Sequence, residues 1–374
     1  MCEVPEAVRS LPCFAGEGAG IVGAEKLSGG LQNLNFKVRR ADGVVLVVRV
    51  PSDDAAEHGQ DASTVHASAR AAAACGVGPA IACFDAATGL LATRFLEGKV
   101  LSAAHFTKPP AGEPDRAGAL LLGVVAVVKR LHERCEGMAR SQASDVLGGY
   151  DLAPVPAPLR PQVEALQVLL GRTMGRFDGL VCCHNDLDPA NIIVAEEEGG
   201  GDEEGTLPSS RTYLIDYEWS GPGDRVCDLA TFCLLAGCDE GGEDRVLRAY
   251  FGDDLSVLHR ARLTLWRLWF GVRGALWSAV KDASTRGVAA AGGELPCDYA
   301  AYAAEGWAMF AERAAAPAVV AAMQHVEEHT VHAHGGPAAL GGCPRLRDES
   351  SHARRSNPTG AHSVQALING CNSD

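Results

Sequence analysis

His184-Asn185-Asp186-Leu187-Asp188-Pro189-Ala190-Asn191 is followed, past an acidic stretch, by Leu214-Ile215-Asp216-Tyr217-Glu218-Trp219. Short apolar runs flank both motifs: Leu180 to Cys183 before the first, Ile192 to Val194 after it, and Tyr213 to Ile215 leading into Asp216. Such runs read as buried strands, so Asp186 and Asn191 share a loop between two strands and Asp216 ends a third. Phosphoryl transfer needs a carboxylate to orient the attacking hydroxyl, and two further oxygen ligands to hold magnesium against nucleotide phosphates. Asp186 fits the base, and Asn191 and Asp216 fit the metal ligands. Asx residues also cap turns between strands, which is the plainer role for the same spacing. His184-Asn185 in front, Asn191-Ile-Ile-Val194 behind and Ile215-Asp-Tyr-Glu218 beyond favour the catalytic role.

Upstream, residues 21 to 98 read as a strand-rich lobe. Phe36 to Arg39 and Val44 to Val50 flank the turn Ala41-Asp42-Gly43, a hairpin signal. An Ala-rich helix over 62 to 75 ends at Gly76, and two more strands, Ala80 to Phe84 and Leu90 to Phe95, surround Thr88-Gly89. Glu97-Gly98 marks a hinge. From Asp115, a candidate N-cap, the pattern turns helical; a second helix follows Pro161, and everything after Asp228 reads as helices. Residues 196 to 210 hold six acids, four glycines and no base, so they are expected to loop out of a strand hairpin. The division that follows is an extension over 1–20, a nucleotide-binding lobe over 21–98, a catalytic lobe over 99–335 with the acidic loop at 196–211, and a disordered tail over 336–374.

With 33 Lys+Arg against 47 Asp+Glu, the net charge of −14 argues against a nucleic-acid groove or an anionic membrane surface and suits a cationic ligand. Thirteen cysteines are scattered rather than clustered, Met1 to Ser10 lacks an apolar segment, and the longest apolar run, Ala117 to Val128, is too short to span a bilayer. A reducing cytoplasm with free thiols is therefore expected.

Ser28-Gly29-Gly30-Leu31-Gln32-Asn33-Leu34-Asn35-Phe36-Lys37-Val38, Val48-Arg49-Val50-Pro51, His184 to Asn191 and Leu214 to Gly221 together resemble the choline/ethanolamine kinases, within the wider aminoglycoside phosphotransferase-like group that shares the protein-kinase fold. The resemblance covers about residues 25 to 312. It implies ATP and magnesium as cofactors, Asp186 as catalytic base, Asn191 and Asp216 as metal ligands, and Glu218 as a further acid of the metal site. It also implies nucleotide contacts from Gly29, Gly30, Asn33 and Arg49. A Gly-Gly turn lets backbone amides approach phosphates, although an ordinary hairpin would use it equally well. Kinase-fold enzymes orient the basic residue with a glutamate on the next helix. Here that position falls at Val65, beside His66, and Asp61 or Glu57 are the acids nearest to standing in.

Trp266, Trp269 and Trp277 lie along one helical face by their spacing. Such a stripe commonly packs a core. Choline kinases, however, present two tryptophans three apart and a tyrosine on the next helix, which implies that Trp266, Trp269 and Tyr302, with Trp219, bind the substrate's ammonium by cation–π contact. His325-Val-Glu-Glu-His329 matches a zinc-peptidase spacing but has no evident third ligand, and reads as a helix end.

The expected architecture is an α+β two-lobed kinase-like fold, with a small antiparallel sheet and a larger helical lobe. The expected activity is ATP-dependent phosphorylation of choline or ethanolamine, small cationic alcohols of phospholipid head-group metabolism. An aminoglycoside, thiamine or sugar phosphotransferase of the same fold, and a catalytically weak pseudokinase, are the alternatives. A protein kinase is disfavoured because no D-F-G or A-P-E follows the catalytic loop.

Overall fold

A computed structural model describes residues 4–27, 33–52, 54–107, 115–195, 212–290 and 297–332. Five strands form the N-terminal sheet: β1 (Ile21–Leu27), β2 (Leu34–Arg40), β3 (Val45–Val50), β4 (Ile81–Asp85) and β5 (Leu90–Arg94). Their order is β1-β2-β3-β5-β4, with antiparallel neighbours throughout. The β2–β3 turn closes at Gly43, whose φ of +84° needs glycine, while the Asp42 carboxylate accepts from the Val44 N–H.

Strand alternation sends side chains to two faces. Phe36, Val38, Leu46, Val48, Leu90 and Ala92 pack on one face against Val4, Val8, Leu11 and Phe14, so the segment carrying α1 (Glu6–Arg9) covers the outside of the sheet. Leu91 points the other way, into the core that Ala69 and Ala72 of α2 (Ala62–Ala74) share. The Asp61 carboxylate caps α2 by accepting from the Thr64 N–H at 2.8 Å.

The chain leaves the sheet through Gly98, which opens β6 (Gly98–Val100) and pairs with Ala195 of β8 (Ile192–Ala195). A Cβ there would lie 2.4 Å from the Val194 carbonyl oxygen, so the crossing between lobes depends on glycine. β9 (Thr212–Leu214) completes this three-stranded sheet, and β7 (Val181–Cys183) pairs with β10 (Gly221–Gly223). The remaining mass is helical: α3 (Arg116–Arg134), α4 (Arg160–Thr173), α5 (Arg225–Leu235), α6 (Glu240–Phe251), α7 (Val257–Ala290), α8 (Tyr299–Ala314) and α9 (Pro317–His332). Asp115 caps α3 as its sequence position suggests. α5 starts three residues before Asp228 because Asp224 caps it.

The long α7 runs through the lobe, packed by α4, α5, α8 and α9. Near its far end, Lys281 Nζ sits 2.5 Å from the Asp54 carboxylate of the segment after β3, tying the helical lobe to the sheet lobe. The acidic stretch 196–211, the tail from 336, Gly29 and Gly30 lie outside the described residues; the strands flanking the acidic stretch, β8 and β9, do pair antiparallel. No helix among the described residues is long and apolar enough to cross a membrane.

Candidate active site

The loop between β7 and β8 is held from below by one buried carboxylate. Asp228 on α5 accepts from the His184 N–H at 2.8 Å through Oδ2 and from the Asn185 N–H at 2.7 Å through Oδ1. Its Oδ2 also bonds His132 Nε2 of α3 at 3.0 Å. Burial raises the Asp228 carboxyl, but the bonds from His132 and the loop amide outweigh it and hold the group below its ordinary value. Asn185 has φ +62°, a left-handed conformation unusual for a side-chain-bearing residue. Its amide nitrogen donates to the Trp219 carbonyl at 3.0 Å and its own carbonyl accepts from Arg273 Nη1, so the unusual backbone is fixed from both sides.

This frame delivers Asp186 into a cleft. Enclosure raises the Asp186 carboxyl above its ordinary value, with Arg273 and His184 pulling the other way. Asn191 Nδ2 donates to the Asp186 carbonyl at 3.0 Å and lies 3.4 Å from its Oδ2, which leaves the Asn191 amide oxygen as the atom a cation would take. Asp216 follows β9 with φ +67°. The residue is exposed at the cleft, and its enclosure between the lobes together with the neighbouring Glu218 raises its carboxyl, with Arg49 opposing. Asn191, Asp216 and Glu218 line one cavity, and hard oxygen donors of this kind suit magnesium.

Glu218 is held differently from the expectation. Through Oε2 it accepts from Asn33 Nδ2 at 2.6 Å and from Arg49 Nη2 at 2.7 Å. Val65, at the position where other kinase folds carry an acid, is buried on α2, and Asp61 serves as that helix's cap. Arg49 thus takes its carboxylate partner from the segment after β9 and not from the helix.

Two cavities meet here. One of about 450 Å³ lies under the sheet, with Leu27, Val47, Leu91, Phe95, Ile193 and Ile215 among its apolar walls and Arg49 at its polar end. The other, of about 240 Å³, is bounded by Tyr150, Trp219, Phe270, Arg273, Trp277 and Tyr302 together with Asp186 and Asp188. Asn35, Ala190, Asn191 and Asp216 line both.

The expected aromatic box is partly displaced. Trp219 and Tyr302 line the smaller cavity, but Trp266 and Trp269 do not. Each is 1% exposed, and their indole N–H groups donate to Asp224 Oδ2 at 3.1 Å and to the Val146 carbonyl at 2.7 Å. The stripe is real, yet the cleft opens one to two turns farther along α7, at Phe270, Arg273, Gly274 and Trp277; at 266 and 269 the same helix is covered by neighbouring elements. Tyr150 stacks on Trp219 with ring centroids 6.3 Å apart. Arg273, Tyr150, Asp228 and His132 are the site residues that the motifs did not disclose. A lone acid inside the apolar run Val226 to Leu235 is the one local signal that could have found Asp228. His325 and His329 are ring neighbours on α9, and among the described residues no third ligand joins them.

Comparison with known proteins agrees with this fold. Protein LicA of Haemophilus influenzae is 28% identical over 107 residues, which are 27% of this chain and 35% of that protein, so the chain spans about a third of the curated relative it matches. Among solved structures, a choline/ethanolamine kinase family protein from Mesorhizobium loti superposes with a TM-score of 0.64 at 22% identity, covering 86% of this chain and 96% of the other. Choline kinase LicA from Streptococcus pneumoniae gives 0.58 at 19%, covering 78% and 93%. A GDP complex of aminoglycoside 2'-phosphotransferase-IIIa gives 0.52 at 16%, covering 79% and 93%. At these identities the likeness is one of fold. Residues 23–266, well over half of the chain, match the phosphotransferase enzyme family APH, and the chain belongs to that family.

Proposed function

We propose that this protein is a magnesium- and ATP-dependent kinase that phosphorylates the hydroxyl of a small cationic alcohol of the choline or ethanolamine type. The observation that carries the reading is the junction of the two cavities at Asn191 and Asp216, with Asp186 on the side of the smaller one. The larger, apolar cavity suits a nucleotide base, and Arg49 at its polar end suits the phosphates. Asn191 and Asp216, with Glu218 adjacent, would hold magnesium, which when bound neutralises phosphate charge.

Asp186 accepts the hydrogen bond of the acceptor hydroxyl, aligns its oxygen with the γ-phosphate and takes the proton as the new bond forms. The fixed backbone of Asn185 keeps that carboxylate in place, so little reorganisation remains to be done during the reaction. Aromatic walls and a volume of about 240 Å³ suit a small ammonium alcohol better than a polycyclic aminoglycoside.

The test is purified protein with Mg-ATP and separate trials of choline, ethanolamine, thiamine and kanamycin, scored by ADP release. Turnover confined to the first two supports the proposal; turnover confined to either of the others removes it.

A further inference from the structure

The aromatic wall of the acceptor cavity already holds a cation. Arg273, on α7, is 5% exposed, and its guanidinium carbon lies 4.8 Å from the Trp219 ring centroid and 5.5 Å from that of Phe270. Its Nε is 3.5 Å from the Tyr150 hydroxyl, Nη1 donates to the Asn185 carbonyl, and Nη2 is 4.0 Å from Asp186 Oδ1. Resting on the proposed function above, we infer that Arg273 is a specificity-determining residue: it occupies the Trp219 and Phe270 faces and sets a fixed positive charge beside Trp277, one turn on along α7, so the acceptor is a primary-ammonium alcohol of the ethanolamine type.

A quaternary ammonium has no N–H to donate and depends on ring faces for its recognition. On Trp219 and Phe270 that attraction is taken up by the guanidinium. A second cation on the same faces would meet Arg273 at contact distance in an enclosed site, where like charges are poorly screened. Arg273 has no easy way to withdraw, because leaving would strip the Asn185 carbonyl of its donor and move a buried charge away from Asp186.

A primary ammonium is smaller and can donate three hydrogen bonds. The same cavity offers it the Asp188 carboxylate and the Tyr302 hydroxyl. Tyr302 is half exposed, so a cation beside it keeps part of its water, a situation that favours a hydrogen-bonding ammonium over a methylated one.

The experiment is steady-state kinetics of the whole protein on ethanolamine, N-methylethanolamine, N,N-dimethylethanolamine and choline, repeated for Arg273→Gln and Arg273→Lys. In the parent, kcat/KM is expected to fall with each methyl, at least tenfold from ethanolamine to choline. Arg273→Gln, which removes the charge, should shrink that ratio tenfold or more, whereas Arg273→Lys, which keeps it, should preserve the preference. Choline used as well as ethanolamine by the parent overturns the inference, and so does an unchanged ratio in folded Arg273→Gln. If Arg273→Gln does not fold, the parent series decides by itself. Should none of the four alcohols be phosphorylated, the functional reading fails, and tetramethylammonium, titrated by tryptophan fluorescence, judges Arg273 separately. Saturable binding to the parent then sinks the inference, and binding gained only in Arg273→Gln upholds it.

Discussion

Arg49 Nη2 donates to Glu218 Oε2 at 2.7 Å, joining a strand of the sheet to the segment after β9 across 169 residues of chain. The two side chains are 12% and 4% exposed, so this is an enclosed ion pair. In kinase folds with a lysine and a helix glutamate, the pair lies within the smaller lobe. Here it spans both lobes. Its carboxylate also belongs to the acid cluster at Asp216, so the groups proposed for nucleotide and metal are part of one charge network.

Glu218→Gln should therefore affect fold and nucleotide together. Removing one partner of an enclosed pair leaves the other charge uncompensated, at a cost of about 3–5 kcal/mol. A lowered melting temperature and weaker nucleotide binding by calorimetry are the expected outcome. An unchanged melting curve would mean that the pair does not stabilise the fold.

Asp186→Asn should separate chemistry from binding. As the proposed base, the carboxylate acts in the transition state from the side of the smaller cavity, so nucleotide affinity should stay near the parent's. Turnover should fall by roughly 10²–10⁴-fold, the usual contribution of a general base. Near-parental ADP release from this variant would remove Asp186 from that role.

The two core tryptophans and Trp219 should part company. Trp269→Ala, at a site 1% exposed, is expected to destabilise by about 3–5 kcal/mol in urea denaturation while leaving the ratio of kcat/KM between any two acceptors unchanged. Trp219→Leu should change that ratio. If Trp269→Ala shifts the ratio instead, the cavity wall extends farther along α7 than the contacts indicate.

Acid should loosen the base of the catalytic lobe through Asp178. Its carboxyl is raised by burial, but hydrogen bonds from His259 and Arg262 of α7 outweigh that and hold it well below the usual carboxylate range. A folded-state value below the unfolded one gives stability that is present above about pH 3.9 and lost as pH falls below it. Asp178→Asn should lower stability at pH 7 and flatten its decline between roughly pH 4 and 2, measured as urea midpoints across that range. Parallel pH profiles for the two proteins would show that Asp178 does not drive the acid limb.

What the sequence disclosed follows from the range of the interactions. Asp42-Gly43, the Asp115 cap and the Gly98 crossing are local signals, each readable within a few residues, and each stands where expected, whereas Asp61, considered as a stand-in for the helix glutamate, instead caps α2. The His184 to Asn191 loop stands out because phosphoryl transfer asks for fixed residue types at fixed spacing. The clamp from Asp228 and His132, the Arg49–Glu218 pair and Arg273 beneath Asn185 join residues 43 to 169 apart, and no window of sequence contains them. The aromatic stripe illustrates the same limit: helical spacing gives the face of α7, but which turn of that face meets the cleft is set by what packs above it.

α7 also has a mechanical consequence. Arg262 near its start grips Asp178 and Asp224, Arg273 and Trp277 in its middle wall the smaller cavity, and Lys281 holds Asp54 of the other lobe. Between Arg262 and Lys281 the helix runs roughly 28 Å as one rod. A tilt of the sheet lobe that keeps the Lys281 grip must pull on the rod that walls the smaller cavity, so in this protein the jaws and the socket are not independent parts.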